Sequence, residues 1–227
     1  MKRNFMSILT LGALLMPLHL SAASDTEKRL RAAADAFKDV MGIPDKAIPQ
    51  DLLNKSQCVI IVPDLKKAAF VVGGKYGKGF VSCRKPGGVG WSAPGSIRIE
   101  GGSVGFQIGG SEMDVFMLVM NERGMDRLLS TKFTLGGDAT VAAGPVGRST
   151  QAETDARMTA EILTWSRARG LFAGIALNGA TLREDEDWNS ELYGKPLKNR
   201  EIVAGTVAPP KAAAVLLSEL DRYSSRK

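Results

Sequence analysis

From Cys58 to Val119 the chain alternates short apolar runs with glycine: "CVIIVP", "KAAFVV", "GFVSCR", "GSIRIE", "SVGFQIG" and "MDVFMLVM". Each run has strand length, and "KAAFVV" and "GFVSCR" flank "GGKYGK" in the manner of a hairpin. "KFTLGG" and "ATVAAG" follow, and "LFAGIALNGATL" reads as one more strand or a strand pair. Short strands separated by tight turns must bury a face against something. That leaves an antiparallel sheet, a sandwich or a partly closed barrel. The 25 glycines fall in pairs and hairpin-like spacings with no repeat, so they read as turns rather than low complexity.

Helices flank this region. Leu30, Ala33, Ala34, Phe37, Val40 and Met41 form one apolar stripe over Thr26 to Met41, and Gly42 and Pro44 end it. "IPQDLLNKSQ" and "NERGMDRLLS" read as short helices, and "DEDWNSELYG" as a polar turn or helix. "APPKAAAVLLSELDRY" opens on prolines and closes the chain as a helix. A central helix is expected after the glycine-rich corner "AAGPVGRST". Thr150 and Glu153 have capping-box spacing, and Gly170 stands where that helix should stop. The expected class is α+β: one antiparallel sheet, sandwich or barrel with an N-terminal, a central and a C-terminal helix. No linker divides residues 24–227, which read as a single domain.

The first 23 residues read as an export signal. Lys2 and Arg3 precede an apolar run from Phe5 to Leu20, and Ser21-Ala22-Ala23 supplies a small-residue cleavage site. Cleavage after Ala23 is expected, with a periplasmic or secreted mature protein, peripheral to the membrane. Cleavage takes the 30 basic residues to 28 against 24 acidic, a net charge of +4. It also removes His19, the sole histidine. Without imidazole there is no Ser-His-Asp triad, no Cys-His pair and no histidine-ligated metal. No catalytic residue, cofactor or metal is therefore expected, and the small charge excess argues against nucleic acid.

Glycine-rich motifs do not change this. Aligned on Gly147, a phosphate loop would need glycine at Ala142 and lysine at Arg148, and Pro145 removes a backbone donor from the cradle. Asp185, Asp187, Asn189 and Glu191 alternate like calcium ligands, yet Ser190 replaces the obligatory glycine and Pro196 the last glutamate. A solvated acidic turn is the expectation there. Asp114, Glu112, Asp138 and Arg148 are the suggestive polar residues within apolar blocks. Asp138 and Arg148 are expected to pair and close the strand-to-helix corner. Cys58 and Cys83 either form a disulfide or pack as two buried thiols.

Several blocks together resemble the SYLF domain family: "CVIIVPDLKKAAFVVGGKYGKGFVSCR", "GWSAPGSIRIEGGSVGFQIGGSEMDVFMLVMN", "KFTLGGDATVAAGPVGR", "WSRARGLFAGIALNGATL", "DWNSELYG" and "EIVAGTVAPPKAAAVLLSEL". The resemblance runs from about residue 29 to 220. It implies a lipid-binding domain. Eukaryotic relatives bind phosphoinositides, a yeast relative binds and bundles actin, and bacterial relatives are often envelope proteins. An exported chain would not meet cytosolic actin, so phospholipid or the membrane surface is the expected partner, with an envelope protein as the alternative. In eukaryotic relatives an amphipathic N-terminal helix is implicated. Here that maps to residues 26–41, with Lys28, Arg29, Arg31 and Lys38 as headgroup contacts, although Asp25, Glu27, Asp35 and Asp39 weaken its field. Lys66, Lys67, Lys75, Lys78, Arg84 and Lys85 are expected to form one basic edge, and Arg148 to face either Asp138 or a headgroup. A basic residue near an anionic membrane contributes about 1 kcal/mol.

Overall fold

The computed structural model describes residues 23–147 and 160–224, with backbone alone over 68–72 and 103–109. Helix α1 spans Asp25–Met41. The Ser24 hydroxyl accepts from the Glu27 N–H, and Asp25 and Glu27 place negative charge at the positive end of the helix. Leu30, Ala33, Ala34, Phe37 and Val40 are buried, the stripe the sequence predicts. A short helix, α2 (Gln50–Lys55), leads into the sheet.

Two long strands dominate. β1 runs Cys58–Cys83 and β2 runs Gly95–Val119, antiparallel from Cys58↔Val119 to Val81↔Gly95. Register shifts at Val62/Leu65 and Ala69/Val71 bend the pair. β1 doubles back on itself: Cys58 and Cys83, its two ends, are joined by a disulfide, and the Arg84 N–H donates to the Gln57 carbonyl. The two arms cross at Gly79, where an added Cβ would sit 2.1 Å from the Ile61 carbonyl oxygen.

The hairpin turn expected at "GGKYGK" is therefore not formed. Residues 73–79 are strand, paired with 103–97 of β2. Their glycines permit backbone contact rather than a turn, and none has positive φ. The reversal comes later, at Gly87, Gly88 and Gly90, all with positive φ.

Among the described residues, five shorter strands join these two in a seven-stranded sheet. Helix α3 (Glu122–Leu128), capped by Asn121, precedes β3 (Lys132–Thr134) and β4 (Val141–Ala143). β5 (Ile162–Ala168), β6 (Leu171–Gly174) and β7 (Thr181–Glu184) follow. The main path is β3-β7-β2-β5-β4, with β1 on β2 and β6 on β5, and β4 pairs with β5 in parallel while the other pairs among these described strands are antiparallel.

The expected central helix is corrected here. Its first part, with the Thr150/Glu153 cap, lies outside the described residues. Its last part, "ILTWSRA", is β5, held by the ladder from Asp114↔Arg167 to Val119↔Ile162. Tertiary pairing and β-favouring Ile162, Thr164 and Trp165 decide the matter. Gly170 ends no helix. With Arg169 it makes the two-residue β5–β6 turn, both residues at positive φ.

The C-terminal part is helical: α4 (Glu186–Tyr193), a turn α5 (Asn199–Glu201) running into a π-helical turn at Ile202–Thr206, and α6 (Ala214–Ser224). α6 packs on α1, with Phe37 edge-on to Tyr223.

The sheet is buried on both sides at one place. Phe116 and Leu118 join the core beneath the helices with Leu30, Phe37, Trp165 and Leu216. Val115, Met117 and Val119 join a second core with Ile60, Ile97, Phe133 and Leu182. This is why "VFMLV" is apolar without alternation. Each such side chain contributes about 1.5–3 kcal/mol, so this end of β2 is the fixed end.

Candidate functional site

β2 pairs with β7 over 97–100 and with β5 over 114–119. Between them, residues 101–113 pair with β1 alone among the described strands. The middle of the β1–β2 pair is thus a two-stranded ribbon leaving the sheet. A Cβ added at Gly77 would meet Leu65 and Val62, so the arms of β1 still touch there. One added at Gly102 would meet nothing within 4 Å.

Three lysines belong to this ribbon. Lys66 reaches Glu112 across the strands at 3.7 Å, both side chains well exposed. The Lys75 ammonium is held below its usual pKa by partial burial and by the charge of Lys67. The charge of Lys67 thus bears on Lys75 across the arms, while the Glu112 carboxylate pairs with Lys66. Tyr76 follows, 49% exposed.

The ribbon's foot is ion-paired. Asp114 accepts from the Asp64 N–H at 3.0 Å and from Arg167 Nε at 2.8 Å. Arg167 also reaches Asp39 of α1 at 2.7 Å. Burial opposes the Arg167 charge, but the hydrogen bonds and charges of Asp39 and Asp114 outweigh it and raise its pKa. Asp114, suggestive in sequence, thus clamps α1, β2 and β5 where the ribbon begins.

The six basic residues expected along one edge are divided. Lys78 pairs at 2.7 Å with Asp185, which is 1% exposed, and sits 4.2 Å over the Trp188 ring. Arg84 is 8% exposed, stacks on Trp91 and donates to the Ser224 and Leu53 carbonyls. Lys85 is exposed beside the loop after β1. On α1, Lys28 pairs with Asp25, Arg29 with Asp64, and Arg31 and Lys38 are exposed. Asp138 accepts from the Thr134 N–H at 2.7 Å and closes its own turn, while Arg148 lies outside the described residues.

The acidic stretch from Asp185 is not a solvated turn. Asp185 caps α4 by accepting from the Trp188 N–H, and buried Asn189 accepts from the Ser96 N–H. Glu191 accepts from Thr26. No group of three His, Cys, Asp or Glu positioned for a metal occurs among the described residues. No described helix is long and apolar enough to cross a membrane.

Comparison with known proteins decides the family. The family model described as Ysc84, Las17-binding protein actin regulator, matches residues 100–223. SH3 domain-containing YSC84-like protein 1 of Xenopus laevis is 35% identical over 210 residues, 89% of this chain and 62% of that protein. The Bos taurus protein of the same name is 34% identical over 184 residues, 81% and 53%. LAS seventeen-binding protein 3 of Saccharomyces cerevisiae is 32% identical over 211 residues, 90% and 45%.

The chain belongs to the Ysc84, or SYLF-domain, family. It spans about half to three-fifths of the length of these relatives. The family description names a binding protein and regulator, and the yeast relative is named for binding. The SYLF match takes in all but the first few residues of β2, and hence one whole side of the ribbon. Sequence reasoning named the ribbon lysines but missed Asp39, Arg167 and Asp185 as clamps. Their partners are far away in sequence, and no local spacing signals them.

Proposed function

We propose that this chain is a non-enzymatic lipid-binding protein that associates with anionic phospholipid headgroups at a membrane surface of the cell envelope. The observation that carries the reading is the placement of Lys66, Lys67 and Lys75 along a ribbon that no other described strand covers. A positive field there attracts anionic headgroups, about 1 kcal/mol per lysine, and falls off within a Debye length. Arg31 and Lys38, exposed on α1, add to it. The export signal supports placing the mature chain outside the cytoplasm. The Cys58–Cys83 disulfide supports the same placement, since such bridges persist in oxidising compartments.

Co-sedimentation with anionic and with neutral vesicles tests the reading. Anionic vesicles are expected to pellet the protein, less well as salt rises. Absence of binding to both vesicle types removes the proposal. A second reading, a protein partner in the envelope, is favoured by relatives named for binding a protein. Cross-linking in cells that captures one stoichiometric partner, together with failure on vesicles, selects it.

A further inference from the structure

We propose that Arg98, Arg183 and Lys132, side by side on the sheet face opposite the second core, form an anion site for a soluble molecule that carries two or more phosphate groups. This goes beyond the lipid reading above and does not depend on it.

Register is the first support. Lys78 of β1 lies opposite Arg98 of β2, Arg98 opposite Arg183 of β7, and Arg183 opposite Lys132 of β3. Partners in an antiparallel ladder share a face, so four cations stand in one row across four strands. Neighbouring strands are about 4.8 Å apart, which makes the row about 14 Å long. The residues next along the chain, Ile99, Leu182 and Phe133, are buried in the second core, so the row belongs to the other face. Like charges directly opposite each other destabilise a sheet. Three such adjacencies in succession work against the fold, and an anion held between them relieves it.

Charge balance is the second. Lys78 is matched by Asp185 at 2.7 Å. Arg98 Nε and Arg183 Nε share one carboxylate, Glu100, at 3.0 and 3.4 Å. Arg167, by contrast, takes two carboxylates to itself, Asp39 and Asp114. The row has the reverse ratio, two guanidinium groups to one acid, and exposed Lys132 adds a third cation. The Arg98 and Arg183 side chains are 35% and 37% exposed, so a ligand reaches them from solvent. Glu100 already shows how the pair receives an anion, one oxygen to each Nε. A phosphate brings more charge and more oxygens, and the guanidinium fork fits it in a bidentate manner.

The surroundings are the third. The next row on the same face is Tyr76, Glu100, Thr181 and Thr134, which sets three hydroxyl groups beside the guanidinium groups. At Lys132 the row meets a cleft of about 460 Å³, with Arg123 and Arg127 in its wall together with Asp126 and Asp138. Asp138 is engaged by the Thr134 N–H. The cleft gives room for a ligand larger than a single phosphate.

The occupant is soluble rather than the bilayer of the lipid reading. No register shift separates Lys75 from Lys78, and an odd number of positions along a strand places two residues on opposite faces. A membrane laid against Lys75 leaves the row on the far side.

Isothermal titration of the purified protein with sodium tripolyphosphate tests this, beside inorganic phosphate and co-sedimentation with equimolar phosphatidylglycerol and phosphatidylcholine vesicles. Tripolyphosphate is expected to bind one to one, more tightly than inorganic phosphate and less tightly as salt rises. R98Q/R183Q should lower its affinity by about tenfold or more and K132Q by about threefold, while K75Q on the opposite face changes nothing. E100Q removes the carboxylate that competes for the same Nε atoms and should tighten binding severalfold. Thermal unfolding checks each variant, and if R98Q/R183Q does not fold, K132Q and E100Q carry the test. Absence of tripolyphosphate binding overturns the inference. So does an equal loss in K75Q, which would mean that affinity follows net charge, or a loss in E100Q, which would make Glu100 a structural staple. If R98Q/R183Q instead weakens vesicle binding while tripolyphosphate does not bind, the row is a lipid contact: this inference falls and the lipid reading stands. Tripolyphosphate binding with no binding to vesicles has the reverse meaning.

Discussion

The foot and the end of the ribbon are made by the same two strands, yet they obey opposite rules. At the foot, β2 has neighbours on both edges and cores on both faces, β1 crosses itself at Gly79, and Arg167 is matched by the Asp114 and Asp39 carboxylates. Beyond Gly101 the ladder continues, but among the described strands the neighbours cease, and the charge of Lys67 bears on Lys75. Backbone pairing alone makes a strand. Whether it is fixed or available is set by what lies beside it.

The sharpest way to break this contrast is a methyl group at each place. Gly79→Ala drives a Cβ into the Ile61 carbonyl and should cost about 3 kcal/mol or more, read by urea unfolding. Gly102→Ala meets nothing and should stay within about 0.5 kcal/mol of the parent protein. Equal losses would mean that Gly102 is packed as well. The second largest effect is expected from opening the Cys58–Cys83 bridge. Closing a loop with sequence separation 25 is worth about 3 kcal/mol in the chain-entropy account, so C58A/C83A should lower the unfolding free energy by that amount, read from urea curves.

A smaller loss is expected for Asp114→Asn, which weakens the tie to Arg167, about 1.5–3 kcal/mol for a charged hydrogen bond. Vesicle affinity per folded molecule should be unchanged, because the clamp lies below the ribbon lysines. The smallest effect is a pH response at the foot. Burial raises the Glu184 pKa above its usual 4.5, although the Asn199 N–H and Lys198 oppose it. As pH rises from 4.5, the unfolded chain releases this proton first, so stability falls until the folded-state pKa is passed. Glu184→Gln keeps an acceptor for the Asn199 N–H and should gain slightly on the parent protein between pH 4 and 7, with no gain below. Unfolding curves across that range check it.

Much of the body was legible in the residues. The α1 stripe and the closing helix follow from spacing, because one element buries one face. The glycines were misleading. Gly77 and Gly79 look like turn residues, but they serve a crossing between arms of one strand, and only the tertiary structure distinguishes the two uses. "ILTWSRA" suited either a helix end or a strand, and its partner on β2 lies some fifty residues away. For the same reason Lys66, Lys67 and Lys75 could be named from sequence but not separated from Lys78 and Arg84. The fold brings Asp185 to Lys78 and Ser224 to Arg84 from distant elements, whereas Lys66 meets Glu112 of its own ribbon.

The bridge between the first and last residues of β1 has a mechanical meaning. Any load taken at the far end of the ribbon travels down both arms of β1 and arrives at one covalent bond. The two arms cannot splay or shear past each other at their root. A pull or a twist is therefore passed to the whole body as a unit, and the ribbon acts as a stalk riveted to its base.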